Sequence, residues 1–337
     1  MPAYNCEKYI GLAINSILAQ TFEDFELVIL NDGSIDGTEN EILKFKDNRI
    51  RYYKNESNKG LTYTRNKQIE LSNAELIAFL DSDDVAESYR LEIEYKALMS
   101  DTSLAFVSSS FKAINERGEV IPPEWRFNLS TRELPAHFLF YNPIATSSVL
   151  LKKSTLPETI FREGYPVCED YDLWTRIIKK WKGMVLPDFL IKYRLYPESI
   201  CKQQPENIVR IRNKIIFNQL EMYFPGKYTG EEAYAHLGLA DFTVKNKLQD
   251  IPLTAHWIKK LVELNAENKH FDSRILKQLL YERTLKKFLR LESYNFSVFK
   301  SLMEIKKELQ PAMTFELRKK EMAILAFSIR GKRFVDL

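Results

Sequence analysis

Apolar and polar positions change period repeatedly along the chain. After Asn5, a residue type that caps helices well, Ile10, Ala13, Ile14, Ile17 and Leu18 recur at helical spacing and predict a helix over residues 6–20. The apolar run 27–30 then ends on Asn31, Asp32 and Gly33, the pattern of a strand running into a turn. The alternation repeats, with residues 50–53 strand-like, residues 61–71 helical, and an apolar run at 76–80 that stops at Asp81. Strands alternating with helices predict a mostly parallel sheet flanked by helices, which holds its ligands beyond the carboxyl ends of the strands. Both acidic turns, after residues 30 and 80, lie at such ends.

Further on, residues 104–121 read as a strand and hairpin around Arg117 and Gly118, and residues 147–151 as another strand. Trp174, Ile177, Ile178 and Trp181 mark a helix that begins near Glu169. The α/β pattern finishes at about residues 193–199, and long amphipathic stretches follow, such as Ile275, Leu276, Leu279 and Leu280. The expected division is an α/β domain over residues 1–205 and a helical domain over 206–337. Only Met1 to Tyr4 precede the first helix, where a parallel sheet would open with a strand, so the first strand is expected to be truncated or a stub.

Composition narrows the function classes. With 45% hydrophobic and 28% charged residues the chain is an ordinary folded protein, and 49 basic against 46 acidic residues are too balanced for a nucleic-acid binder. Cys6, Cys168 and Cys201 are odd in number and far apart, which argues against a disulfide framework or a structural zinc site and for a reducing compartment. His137, His236, His256 and His270 show no metal-ligand spacing and are expected to be structural or superficial. No apolar run is long enough to cross a bilayer, which makes a cytoplasmic location the expectation.

Four stretches carry candidate chemistry. The turn NDGSIDGT, residues 31–38, projects Asp32 and Asp36 from a strand end; a calcium loop would need Glu at its twelfth position, where Leu43 stands. The turn DSDD, residues 81–84, crowds carboxylates at the end of a core strand, a repulsion that a hard cation such as Mg²⁺ or Mn²⁺ relieves while it also neutralises a departing diphosphate. Asp83 or Asp84 could instead cap the helix around residues 90–98. In NKGLTYTRN, residues 58–66, the planar fork of Arg65 suits anionic oxygens. In CEDYDLW, residues 168–174, Glu169 and Asp170 open a helix, where acidic residues also simply complement the dipole. Asp170 as a general base would be kept ionised, and weakened, by that dipole.

Taken in order, P-x-Y-N-C-E-K-Y-I, NDGSIDGT, GLTYTRN, DSDD and CEDYDLW resemble the family 2 glycosyltransferases with the GT-A nucleotide-diphospho-sugar transferase fold, over about the first 200 residues. The resemblance implies an inverting, metal-dependent transferase that moves a sugar from a nucleotide-sugar, by family habit a UDP-sugar, to an acceptor hydroxyl in polysaccharide or lipid-linked glycan synthesis. It implies donor binding by Pro2, Tyr4, Asp32, Arg65, Asp81 and Ser82, metal binding by Asp83 of the DxD motif, catalysis by Asp170 of the ED motif, and an acceptor-side place for Glu169. The family's Tyr-Arg-x-His pattern departs here: Tyr193, Arg194 and Leu195 are followed by Tyr196.

Near the end, Arg318, Lys319 and Lys320 precede the apolar run 322–327, and Arg330, Lys332 and Arg333 follow it. Such a basic amphipathic segment suits either the anionic inner face of the plasma membrane or packing against its own domain. The rival functional readings are a catalytically silent nucleotide-binding or scaffold protein of the same fold and a nucleotidyltransferase.

Overall fold

The computed structural model describes residues 1–197, 199, 203–241 and 247–330. Two units divide the chain: Met1–Leu134 with Pro143–Arg212, and Pro135–Asn142 with the described residues from Asn213 onward. Residues 135–142, which the sequence assigns to the α/β part, side with the helices.

In the first unit β1 (Pro2–Ala3), β2 (Leu27–Asn31) and β3 (Ile50–Lys54) form a parallel sheet, with Pro2 opposite Leu30 and Leu27 opposite Ile50. A first strand is present, over Pro2–Ala3. Its start is buried: the Met1 amino group donates to the Val28 carbonyl at 2.9 Å, and burial pulls its pKa down to about 5. The helix read from residue 6 begins at Ile10 and ends at Leu18 (α1). Asn5 does not cap it, because Asn5 adopts φ 46° and its side-chain oxygen accepts from Ile35 N at 3.0 Å in the neighbouring turn. The buried face of α1, Ile10, Ala13, Ile14 and Ile17, packs on Ile29 and Leu27 of the sheet.

A second sheet has the order β4 (Leu76–Ala78), β8 (Val149–Lys152), β6 (Leu104–Ile114), β9 (Lys182–Arg194), β5 (Val85–Ala86), with β7 (Val120–Trp125) on β6. Here only β6 and β9 run parallel; the other pairs are antiparallel. The β6–β7 hairpin needs no crossover helix, since Gly118 at φ +82° closes the turn and its N–H reaches the Asn115 carbonyl at 3.0 Å. Helices α2 (Thr38–Leu43), α3 (Leu61–Leu71), α4 (Arg90–Met99) and α6 (Glu169–Ile177) belong to this unit, and the short α5 (Leu134–Phe138) opens the segment that goes with the second. Leu27 and Val28 of β2, Leu76 and Ile77 of β4, and Met1 line a cavity of about 350 Å³.

The second unit holds helices Gly230–Ala240, Ile251–Asn268, Ser273–Phe288, Phe296–Leu309 and Phe315–Arg330. Its inserted segment is held by main-chain oxygens: Gln219 donates to Phe138 O at 2.6 Å and His236 Nε2 to Leu139 O at 2.9 Å. Trp257 Nε1 donates to His236 Nδ1 at 3.1 Å, so the imidazole is neutral, and burial lowers its pKa to about 4. The unfolded chain then takes up this proton first, so the contribution of His236 is complete above pH 6.5 and is lost as pH falls toward 4. Urea titrations of the full chain are expected to lose about 1 kcal/mol between pH 7.5 and 5.5, of roughly 3 in all, and a His236→Leu variant is expected to lack that slope.

Candidate active site

Backbone geometry brings the amino-terminal loop and the NDGSIDGT turn together. Asn5 N donates to Ser34 Oγ at 3.0 Å, Cys6 N to Thr38 Oγ1 at 2.8 Å and Glu7 N to Asp36 Oδ2 at 3.2 Å, so Asp36 works as a staple between them. Gly33 is required there: at φ +69° a Cβ would lie 2.6 Å from Ser57 C. Asp32 is buried, and its carboxylate accepts from Asn55 Nδ2 at 2.7 Å, Lys59 N at 2.9 Å and Gly60 N at 2.9 Å. With most accepting sites of a carboxylate thus in use, Asp32 shapes the loop that launches α3. Of the other residues expected at the donor, Pro2 is buried in β1, Tyr4 is exposed, and half-buried Ser82 faces the Cys6 thiol.

The DSDD turn follows β4. Neither Asp83 nor Asp84 caps α4, whose N-cap is Tyr89. The end of β9 grips the turn instead: Arg194 N donates to Asp84 Oδ1 at 2.9 Å, Arg194 Nε to the Asp83 carbonyl at 2.7 Å, and the Tyr196 hydroxyl to Asp83 Oδ2 at 2.9 Å. Burial first, and then Asp81, push the Asp83 carboxyl up to about 6. Asp84 is raised well above the usual carboxylate range by burial and by Asp83 and Asp81. Among the described residues neither the Asp83 nor the Asp84 carboxylate has an ion pair; the protein cations at the turn are Arg194, on the Asp83 carbonyl, and Arg65, on Asp81.

Arg65, on α3, joins this turn to α6. Its Nη2 donates to Asp81 Oδ1 at 2.6 Å and its Nη1 to Glu169 Oε1, while the guanidinium lies 5.8 Å from the Phe161 ring centroid. Burial opposes the charge, but Asp81 and Glu169 outweigh it, and the Arg65 pKa is raised. The fork expected at the nucleotide is therefore taken up by protein carboxylates. Glu169, expected on the acceptor side, is buried on Arg65, and burial raises its pKa.

Asp170 is half-buried. Its Oδ2 accepts from the Thr146 hydroxyl at 3.1 Å and its Oδ1 from Tyr171 N at 2.7 Å. The helix-dipole argument predicts a weakened base; burial instead raises the pKa of Asp170, against the pull of Arg65. One turn on, Trp174 is fully buried beside Phe106 and Phe79, with ring centroids 5.5 Å and 6.2 Å away, which fixes the start of α6 in place. Asp172 completes that first turn as a buried partner of Arg162 and Arg176.

A cation fits the DSDD turn by the chemistry of its donors, hard oxygens pressed together, of which Asp81 is paired with Arg65 while Asp83 and Asp84 have no ion pair among the described residues. Among the described residues no group of three or more His, Cys, Asp or Glu side chains could hold a metal. An ion at this turn would be bound by one or two carboxylates and completed by water and phosphate oxygens.

Thr146, Arg194 and Tyr196 were not among the expected site residues. Thr146 sits in an unremarkable T-S-S run, whereas Tyr196 showed only as a departure from a histidine.

The Glycosyl transferase family 2 description matches residues 1–154. An uncharacterized glycosyltransferase of Methanocaldococcus jannaschii is 32% identical, the match covering 60% of this chain and 74% of that protein. The UDP-Glc:alpha-D-GlcNAc-diphosphoundecaprenol beta-1,3-glucosyltransferase WfgD of Escherichia coli is 31% identical over 62% of this chain and 81% of its own. The crystal structure of S. aureus TarS 1-349 superposes with a TM-score of 0.53 at 19% identity, covering 92% of this chain and 89% of that one. Sequence and fold together place the chain in glycosyltransferase family 2, with a GT-A fold and a helical carboxyl-terminal region.

Proposed function

We propose that the chain moves a sugar from a UDP-sugar to a hydroxyl of a lipid-linked glycan, with inversion, using Mn²⁺ or Mg²⁺ held at Asp83 and Asp170 as the general base. The observation that carries this reading is Arg65, which binds Asp81 of the acidic turn and Glu169 beside Asp170, and so puts the two ends of the reaction on one rigid support. When bound, the cation supplies positive charge for the departing diphosphate. Asp170 receives the acceptor proton. Thr146 and Tyr171 N aim its two oxygens, and its raised pKa makes it a better base than an exposed aspartate while Arg65 keeps it anionic. The donor nucleotide and acceptor class are drawn from relatives: WfgD is named for UDP-Glc and a diphosphoundecaprenol-linked GlcNAc, and a TarS structure is titled as a complex with UDP-GlcNAc.

The carboxyl-terminal helix supports a place at the inner membrane face. Phe315, Met322 and Ile329 are exposed at sevenfold spacing, with Arg318 and Lys319 exposed between the first two. These bring apolar and basic groups to one face of the helix, as an anionic lipid surface requires. The Arg330 side chain, Lys332 and Arg333 lie outside the described residues. Among the described residues no helix is long and apolar enough to cross a membrane.

The test is transfer of radiolabelled sugar from UDP-Glc, UDP-GlcNAc and UDP-Gal to a GlcNAc-diphosphoundecaprenol analogue. One donor is expected to be used, with Mn²⁺ or Mg²⁺ required and EDTA abolishing transfer. Metal-independent transfer would remove the cation from the mechanism, and no transfer from any nucleotide-sugar by the folded chain would favour the silent scaffold.

A further inference from the structure

We infer that Tyr196 is a positioning residue for Asp83: its hydroxyl fixes the carboxylate in the orientation that receives the cation. The inference rests on the reading above that Asp83 holds a metal, and concerns what prepares it to do so. Two sets of contacts hold the acidic turn, and they differ in what they touch. Arg194 holds the main chain at Asp83 O and the Asp84 carboxylate at Oδ1, and anchors itself through Nη1 on Asn115 O at 2.8 Å. Arg194 is 2% exposed, with its guanidinium 4.5 Å from the Tyr9 ring centroid. The turn is therefore built without help from Tyr196.

What Tyr196 adds is a hydrogen bond at 2.9 Å to Asp83 Oδ2. Its ring is held against Tyr9, at 5.2 Å between centroids and 55° between planes, so the hydroxyl arrives from a fixed platform. A neutral donor suits this task. It restricts rotation of the carboxylate and occupies one oxygen without neutralising the negative charge that attracts a cation, as a lysine or arginine there would. A carboxylate already oriented loses less freedom when the ion binds, which is how partners behind a ligand raise its affinity.

Tyr196→Phe separates this role from a structural one, because it keeps the ring on Tyr9 and leaves every Arg194 contact in place. Free Mn²⁺ would be measured by electron paramagnetic resonance as the ion is titrated into wild type, Tyr196→Phe and Asp83→Ala, each with saturating UDP. Tyr196→Phe is expected to bind Mn²⁺ about tenfold more weakly, the lower end of what losing such a supporting partner costs. Its melting temperature is expected to stay that of wild type, and turnover at saturating Mn²⁺ to fall less than the affinity does. Asp83→Ala is expected to show no tight binding. Unchanged or tighter Mn²⁺ binding by Tyr196→Phe, with Asp83→Ala still defective, would overturn the positioning role alone. Wild type that binds no Mn²⁺, or binds it equally well without Asp83, would overturn the metal reading and this inference with it.

Discussion

Asp170→Asn is expected to lower sugar transfer by roughly a hundredfold or more, the scale of a lost general base, while the affinity for the nucleotide stays near that of wild type. The substitution keeps the size and shape of the side chain: Tyr171 N can still donate to the amide oxygen, and the Thr146 hydroxyl, a donor in wild type, can turn to accept from the amide nitrogen. What disappears is the ability to accept a proton. Burial raises the Asp170 pKa, so the acidic limb of the wild-type pH–rate profile is expected above the range of an exposed aspartate. Activity on that limb rises with pH, since the base works only when deprotonated, and the residual activity of Asp170→Asn is expected to lack it. A profile unchanged in the variant would remove Asp170 from the base role.

Arg65→Met is expected to damage both stability and catalysis. The guanidinium is 3% exposed, and its removal leaves Glu169, at 5%, without its partner. Taking one member from such a buried pair costs about 3–5 kcal/mol, equivalent to a fall in melting temperature of roughly 10 °C for a unit of this size. Glu169 would answer by taking up a proton, which limits the loss. Arg65 also pulls the Asp170 pKa down, so in the variant the acidic limb is expected to move to still higher pH. A double variant, Arg65→Met with Glu169→Gln, is expected to regain much of the stability, because the stranded charge is gone, but not the transfer activity, because Asp81 and the start of α6 are no longer joined. Thermal melts and pH–rate profiles of the three forms would decide it, and equal stability in all of them would contradict the buried-pair account.

Much of the architecture was legible because it depends on local period and punctuation. The helix Leu61–Leu71 begins directly after Gly60, and the acidic turn at Asp81 stands just past the strand Leu76–Ala78. Sequence failed where a side chain is claimed from far away. Asn5 has the chemistry of a cap, yet its oxygen is taken by Ile35, thirty residues on. Arg65 has the chemistry of an anion fork, but its partners lie 16 and 104 residues away, and no periodicity announces them. Thr146 carries no local signal, and Tyr196 shows only as a departure from a histidine. Their meaning comes from long-range contacts, Thr146 just before β8 meeting Asp170 and Tyr196 just after β9 meeting Asp83, in a sheet where β8 runs antiparallel to β4 and β6 instead of in the parallel sense that the alternating pattern suggested.

In the proposed mechanism Asp83 serves the donor through a cation while Asp170 serves the acceptor. Isothermal titration of UDP into wild type, Asp83→Ala and Asp170→Asn, each with Mn²⁺ and then with EDTA, separates the two roles. Metal-dependent binding is expected of wild type, nearly the same binding of Asp170→Asn, and loss of the metal-dependent part in Asp83→Ala. Equal loss of affinity in both variants, or wild-type binding that EDTA leaves untouched, would contradict it.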